Sequence, residues 1–222
     1  IGCNGFVGNY LKKYLKQSQN ECSYVDRSNY NKLSKDYYDI VINSSMPSKR
    51  YWARQNPELD YIETVEKTKN IIENWNFKKL VQISSVSARC QTDTVYGMNK
   101  KKSEDLCLNL NDYLIIRLGP MYGKSLSKGV LIDLKNDREV FVNEKSKYSF
   151  TNIDWIGEWV VNNLNKKGLF EIGASDFVEL SRLANLINSN SKFTGDIDDQ
   201  LILNFDDYPG KSIDVLNYFR KK

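Results

Sequence analysis

Tyr96 and Lys100 stand four residues apart in the stretch Tyr96-Gly97-Met98-Asn99-Lys100. On a helix the two side chains lie on one face, one above the other. A phenol beside an ammonium is a tunable proton donor and acceptor. The cation favours the phenolate and draws the tyrosine pKa down from about 10 toward a working range. A serine hydroxyl nearby, such as that of Ser85, can hold a substrate oxygen against the phenol. The spacing alone is common in this chain, because Tyr218 also has a lysine, Lys222, four residues on. Two features set Tyr96 apart: a strand ending in Ser84 and Ser85 before it, and a glycine-rich turn at the chain start.

That turn is Gly2-Cys3-Asn4-Gly5-Phe6-Val7-Gly8. Its glycines permit a tight turn and close backbone approach. A helix over 6–17, with Tyr10, Leu11, Tyr14 and Leu15 as its apolar stripe, points its N-terminus at a pyrophosphate. The plainer alternative is an ordinary glycine turn at a helix start. A short strand over 22–25 then ends in Asp26, about 24 residues after the first glycine. That is close to the roughly 20 expected of a carboxylate accepting the adenosine ribose hydroxyls. A carboxylate repels a 2′-phosphate, so Asp26 argues for NAD, while Arg27 beside it is the route to NADP.

The elements that must position these groups follow in order. A strand over 39–43 leads to Asn43, Ser44 and Ser45, after a crossover of about a dozen residues, near the minimum for a parallel connection. The loop 46–52, with Lys49, Arg50, Tyr51 and Trp52, reads as a solvated turn with two aromatics packed down, and alternatively as a substrate contact. Pro57 opens a helix over 57–75 with Leu59, Ile62, Val65, Ile71 and Ile72 on or near one side. Residues 79–84 read as a buried strand, 96–108 as a helix and 113–118 as a strand. Beyond Gly123 the composition turns rich in lysine, serine and aspartate. The expected division is a dinucleotide-binding domain over 1–123 and a small substrate lobe over 124–222, with about 151–172 returning to the main sheet. In that second part, helices are expected over 154–164 (Trp155, Trp159 and Val160 inward), 179–187 and 216–219, with a strand over 169–172.

Composition narrows the function classes. At 222 residues and 41% hydrophobic, the chain can bury one good core with a compact lobe added. A net charge of +4 with interspersed lysine and acid gives no prompt for nucleic acid. The four cysteines make no CxxC pair, and with no histidine a zinc site is not expected and a histidine-based triad is excluded. Free thiols fit a reducing compartment. No apolar run approaches the roughly 18 residues of a membrane span and no signal peptide is visible, so a cytoplasmic setting is expected.

Taken together, the motifs resemble the extended short-chain dehydrogenase/reductase family of nucleotide-sugar epimerases, dehydratases and ketoreductases. The matching pieces are the Gly2 to Gly8 turn, Asp26, Asn43-Ser44-Ser45, Ser84-Ser85, Tyr96 to Lys100, Arg117-Leu118-Gly119-Pro120-Met121-Tyr122-Gly123 and Phe150 to Asp154. They come in the family's order and run to about Ile187. The resemblance implies a doubly wound parallel α/β sheet of Rossmann type with a small C-terminal substrate lobe. Only Ile1 precedes the turn, so the first strand is expected to be missing or nearly so. Ser85, Tyr96 and Lys100 take the catalytic positions. Gly2, Asn4, Gly5, Phe6, Val7, Gly8, Asp26, Arg27, Asn43, Ser44, Ser45, Ser84, Tyr96, Lys100 and Pro120 take cofactor positions. Ser85 and Lys147 face the substrate, and no metal is involved.

The activity so implied is NAD(P)-dependent epimerisation or 4-keto reduction of a nucleotide sugar, by hydride transfer at a sugar carbon. The short crossover after Asp26 resembles the 4-ketoreductase branch. Val86-Ser87 stands where the 4,6-dehydratases carry an Asp-Glu pair, which disfavours dehydration. Thr64 aligns where the family usually has an asparagine. Relatives form homodimers through two helices, here 57–75 and 96–108, for which Ile72 and Leu106 are the expected apolar contacts. The competing class is a nucleotide-sensing or interaction module on the same fold, a class that commonly loses the tyrosine–lysine pair this chain keeps.

Overall fold

The computed structural model describes residues 1–203 and 208–220; Lys222, and with it the Tyr218–Lys222 spacing, lies outside the described residues. The chain divides into two compact units, Ile1–Arg117 with Gly157–Phe170, and Leu118–Ile156 with Glu171–Lys222.

The first unit is built on a four-stranded parallel sheet. Its strands are β1 (Tyr37–Asn43), β2 (Asn76–Ser85) and β3 (Tyr113–Leu118), followed in space by Gly168–Ile172 beside β3. β1 and β2 run parallel with Val41 opposite Leu80 and Asn43 opposite Gln82. β2 is buried without a break from Lys79 to Ser84, as expected of a strand covered on both faces. Val25, Val41, Ile71, Trp75, Leu80, Cys107 and Ile115 form one core cluster. Trp75 meets Tyr30 and Tyr38 at ring separations of 5.1 and 5.7 Å.

Several elements differ from expectation for identifiable reasons. Residues 22–25 form no strand. The Val25 carbonyl accepts the N–H groups of Gly2 and Cys3 at 2.9 and 3.3 Å, a single meeting of the two segments rather than a ladder. Ile1 lies along β1, its amino group donating to the Ile42 carbonyl at 2.6 Å and its carbonyl accepting from Ser44 N–H at 3.0 Å. The helix expected over 57–75 comes as Pro57–Tyr61, a π-helical turn Ile62–Glu66 and Lys67–Asn74. The wide turn buries Thr64 and Val65. In the loop after β1, Arg50–Gln55 is helical and Tyr51 stands 70% exposed, so that aromatic is not packed down.

In the second unit, Met121–Tyr122 pairs in parallel with Thr151–Asn152, and Thr151 N–H donates to the Pro120 carbonyl at 2.9 Å. This short ladder ties the turn after β3 into the second unit. The compact units part after Arg117, and Gly157–Phe170 belongs to the first of them. Tyr122, Leu131, Leu134, Tyr148, Phe150, Leu180 and Leu183 make its core. Lys147–Tyr148 pairs antiparallel with Val178–Glu179.

The helix that carries Tyr96 and Lys100 spans Val95–Cys107, and the Thr94 hydroxyl caps it by accepting Gly97 N–H at 3.1 Å. A Cβ on Gly97 would overlap the Gln91 carbonyl oxygen and lie 2.5 Å from that of Ser87, both of them backbone atoms. Gly97→Ala should therefore destabilise the fold by about 2–3 kcal/mol, the usual cost of overpacking, read as a lower urea midpoint at unchanged slope.

Candidate active site

β2 ends at Ser85, a short helix Ser87–Cys90 turns the chain, and the Val95–Cys107 helix returns Tyr96 and Lys100 to the end of the strand. Tyr96 and Lys100 are 7% and 3% exposed, and the Lys100 ammonium lies 5.1 Å from the centre of the Tyr96 ring. Ser85 is the phenol's hydrogen-bonding neighbour, and Ser85 Oγ also accepts Ser87 N–H at 3.2 Å. Three groups expected to act together on a sugar oxygen are thus side by side.

Their electrostatics correct one expectation. Burial raises the Tyr96 pKa above its ordinary value; the Ser85 hydrogen bond and the Arg50 guanidinium pull it back, and Asp60 pushes it further up. Lys100 is itself lowered to about 7 by burial, against the opposing pull of Asp60 and Glu104. A lysine so shifted carries only part of its charge near neutral pH, so it does not by itself depress the phenol in this structure.

Beneath these groups lies a polar layer that sequence reasoning left out. Glu104, one turn beyond Lys100, accepts from Ser84 Oγ at 2.6 Å and from Arg117 Nε and Nη2 at 2.9 and 2.6 Å. The Ser84 hydroxyl therefore faces the interior, and what it can offer a cofactor is backbone. Asn99 donates to Asp60 Oδ2 at 2.9 Å, and both side chains are buried. Spacing could have found Glu104, which shares the helix face of Tyr96 and Lys100. Nothing in the polar 57–74 segment marked Asp60.

The glycine turn is closely packed against neighbouring backbone. Gly2 has φ +83°, and a Cβ there would lie 2.7 Å from the Ser45 Cα; one on Gly8 would overlap the Gly2 carbonyl oxygen. Gly5 starts the helix Phe6–Leu15, which no side chain caps. A helix start left open in this way suits an anion. Phe6 and Val7 form its first turn, and Phe6 packs against Tyr10 at 5.8 Å. Asn4 donates to Asp26 Oδ2 at 3.1 Å, while Asp26 Oδ1 accepts from Ser28 N–H and Oγ at 2.8 and 2.6 Å. These bonds hold the Asp26 carboxyl below the usual range, chiefly through Ser28. Arg27 is exposed beside it. Asn43 Oδ1 accepts from Ser45 N–H and Oγ, its amide donates to Gln82 Oε1 at 3.0 Å, and Ser44 Oγ bonds the Ile1 carbonyl. These residues fix the loop next to the glycines.

Pro120 and Lys147 belong to the second unit. Lys147 is half-buried, with its ammonium 5.1 Å from the centre of the Phe177 ring. Among the described residues, no cluster of three or more His, Cys, Asp or Glu could hold a metal ion, and no helix is long and apolar enough to cross a membrane.

No protein-family model and no curated protein sequence matches the chain. Solved structures do. A UDP-glucuronic acid 4-epimerase from Bacillus cereus, in complex with UDP-glucuronic acid and NAD, aligns at TM-score 0.72 over 94% of this chain and 89% of that one, at 17% identity. A dTDP-4-dehydrorhamnose reductase from Clostridium acetobutylicum aligns at 0.73 over 91% and 88%, at 18% identity. RMD from Pseudomonas aeruginosa, complexed with NADPH, aligns at 0.71 over 90% and 88%, at 15% identity. The chain shares the Rossmann-type α/β fold of these structures. In that fold ligands bind outside the carboxyl ends of the strands, and the ends of β1 and β2 carry Asn43 to Ser45 and Ser85.

The shifted lysine gives a pH signature of its own. Between its folded pKa of about 7 and the ordinary 10.5, Lys100 binds fewer protons folded than unfolded, so stability rises with pH there and the gain is lost as pH falls through 7. Wild type should gain unfolding free energy relative to Lys100→Met as pH is raised from about 7 to 10, measured by paired urea titrations.

Proposed function

We propose that the chain is an NAD(P)-dependent nucleotide-sugar epimerase or 4-ketoreductase acting by hydride transfer at a sugar carbon. The observation that carries this reading is the buried cluster of Ser85, Tyr96 and Lys100 at the end of β2, in a unit that also holds an uncapped glycine turn and Asp26. The neighbours solved with NAD, NADPH or a UDP-sugar support it.

The nicotinamide supplies or accepts the hydride when bound. Gly2, Gly5 and Gly8, with the first turn of the following helix, hold the pyrophosphate. Asp26 accepts the adenosine ribose hydroxyls and so favours NAD, with Arg27 available to a 2′-phosphate. Ser85 orients the sugar oxygen, Tyr96 moves its proton, and Lys100 grips the nicotinamide ribose and adds positive charge beside the phenol. Lys147 serves the substrate diphosphate as a point charge. An epimerase would use the pair in both directions; a ketoreductase would use one and consume the reduced dinucleotide.

The enzyme so proposed is a cytoplasmic homodimer. The face suited to that contact carries Tyr61, Ile62 and Met98, exposed at 37, 51 and 39%, along a groove with Pro57 and Val95. Ile72 does not serve there, because it packs against the core of the first unit, and Leu106 is half-buried.

Tyr96→Phe keeps the ring and removes the hydroxyl. With a panel of nucleotide sugars, assayed with and without added NADH or NADPH, turnover should fall by about 10² to 10⁴ while dinucleotide affinity and thermal stability stay near wild type. Near-full activity would make the tyrosine structural and bring the interaction-module reading forward. Asp26→Ala should narrow the preference for NAD over NADP in a binding titration; a wild type that prefers NADP tenfold would hand the role to Arg27.

A further inference from the structure

On the helix packed against Tyr96 and Lys100, two buried polar atoms have no hydrogen-bond partner: Asp60 Oδ1 and Thr64 Oγ1, one turn apart. Asp60 is fully buried, and a carboxylate in that position is costly unless charge or hydrogen bonds compensate it. Around Lys100 the buried charged side chains are Asp60, Glu104 and Arg117. Arg117 grips Glu104 through both Nε and Nη2, so each matches the other's charge. Asp60 and Lys100 are left to match each other. Asn99, the residue before Lys100, holds Asp60 Oδ2 and leaves Oδ1 without a hydrogen-bond partner. The cluster is neutral only if Asp60 is ionised when Lys100 is charged.

We propose that Asp60, held in place by Asn99, is the counter-charge that keeps Lys100 protonated inside the first unit. It is a positioning residue, and its catalytic consequence rests on the function proposed above. The charged and polar groups around the pair are Glu104, which acts on Lys100 and is itself bonded by Ser84 from β2 and Arg117 from β3, and Tyr96, on which Asp60, Ser85 and the Arg50 charge act. Burial takes Lys100 down to about 7, with Asp60 the larger of the two opposing charges, and burial likewise raises the Asp60 carboxyl, against the opposing pull of the Asn99 hydrogen bond and of Lys100. Without the carboxylate the ammonium would be lost at neutral pH, and the phenol with it would lose its neighbouring cation.

The test is an NMR pH titration of isotope-labelled full chain, following the Lys100 side-chain nitrogen and the Asp60 carboxyl carbon. Asp60→Asn should lower the Lys100 midpoint by about one pH unit or more. Because coupling is reciprocal, Lys100→Met should raise the Asp60 midpoint by the same amount. The second arm carries the test if Asp60→Asn does not fold. A role for Asp60 in packing alone would move neither midpoint, and unchanged midpoints overturn the proposal. Calorimetry with NAD on the same wild-type sample separates the two readings. Coupled midpoints without nucleotide binding would leave the Asp60–Lys100 pair standing and remove the dehydrogenase reading.

Discussion

An ammonium group enclosed by protein is held there only by charges and dipoles that replace its water. Lys100 imposes that requirement on the whole first unit. Its helix brings Glu104 beneath it, β3 brings Arg117 to Glu104, and the Pro57–Tyr61 helix brings Asp60. Ser84 donates to Glu104 and Asn99 to Asp60 Oδ2. Three separate elements are thereby fixed around one side chain, and Tyr96 is fixed with it. Gly97 lets the lysine's helix pass against the Gln91 and Ser87 carbonyls, and the π-helical turn buries Thr64 and Val65.

The glycine turn meets a different constraint, a steric one. Gly2 and Gly8 lie where backbone crosses backbone, and the Asn43–Ser45 loop closes on Gly2. What results is a helix start with no side chain over it and a carboxylate, Asp26, held deprotonated by Ser28 and Asn4. Open backbone donors at one end and a fixed acceptor at the other suit a dinucleotide better than an isolated phosphate. This is why the proposed function joins the turn to the tyrosine–lysine pair.

The legible part of the sequence was the part written in short range. Tyr96 and Lys100 share a face by helical spacing, the glycines mark the turn, and Leu80-Val81-Gln82-Ile83 marks a buried strand. What stayed hidden depended on groups far apart in sequence. Asp60 reads as one more polar residue on a charged helix until Asn99 is seen to hold it. The expectation that Lys100 would lower the Tyr96 pKa followed from spacing, but burial, which spacing does not report, reverses the direction. The strand expected over 22–25 had the right composition and lacked a ladder partner. Ile72 had the right character for a dimer contact but was already used by the core.

The most direct measurement is energy transfer from the protein's tryptophans to NADH, titrated into the wild-type full chain. The account predicts a saturable nicotinamide signal with a dissociation constant well below about 1 mM, displaced by NAD. A titration that stays linear to that concentration, with folded protein and no displacement, would contradict the claim that this buried cluster and its glycine turn form a nicotinamide dinucleotide site.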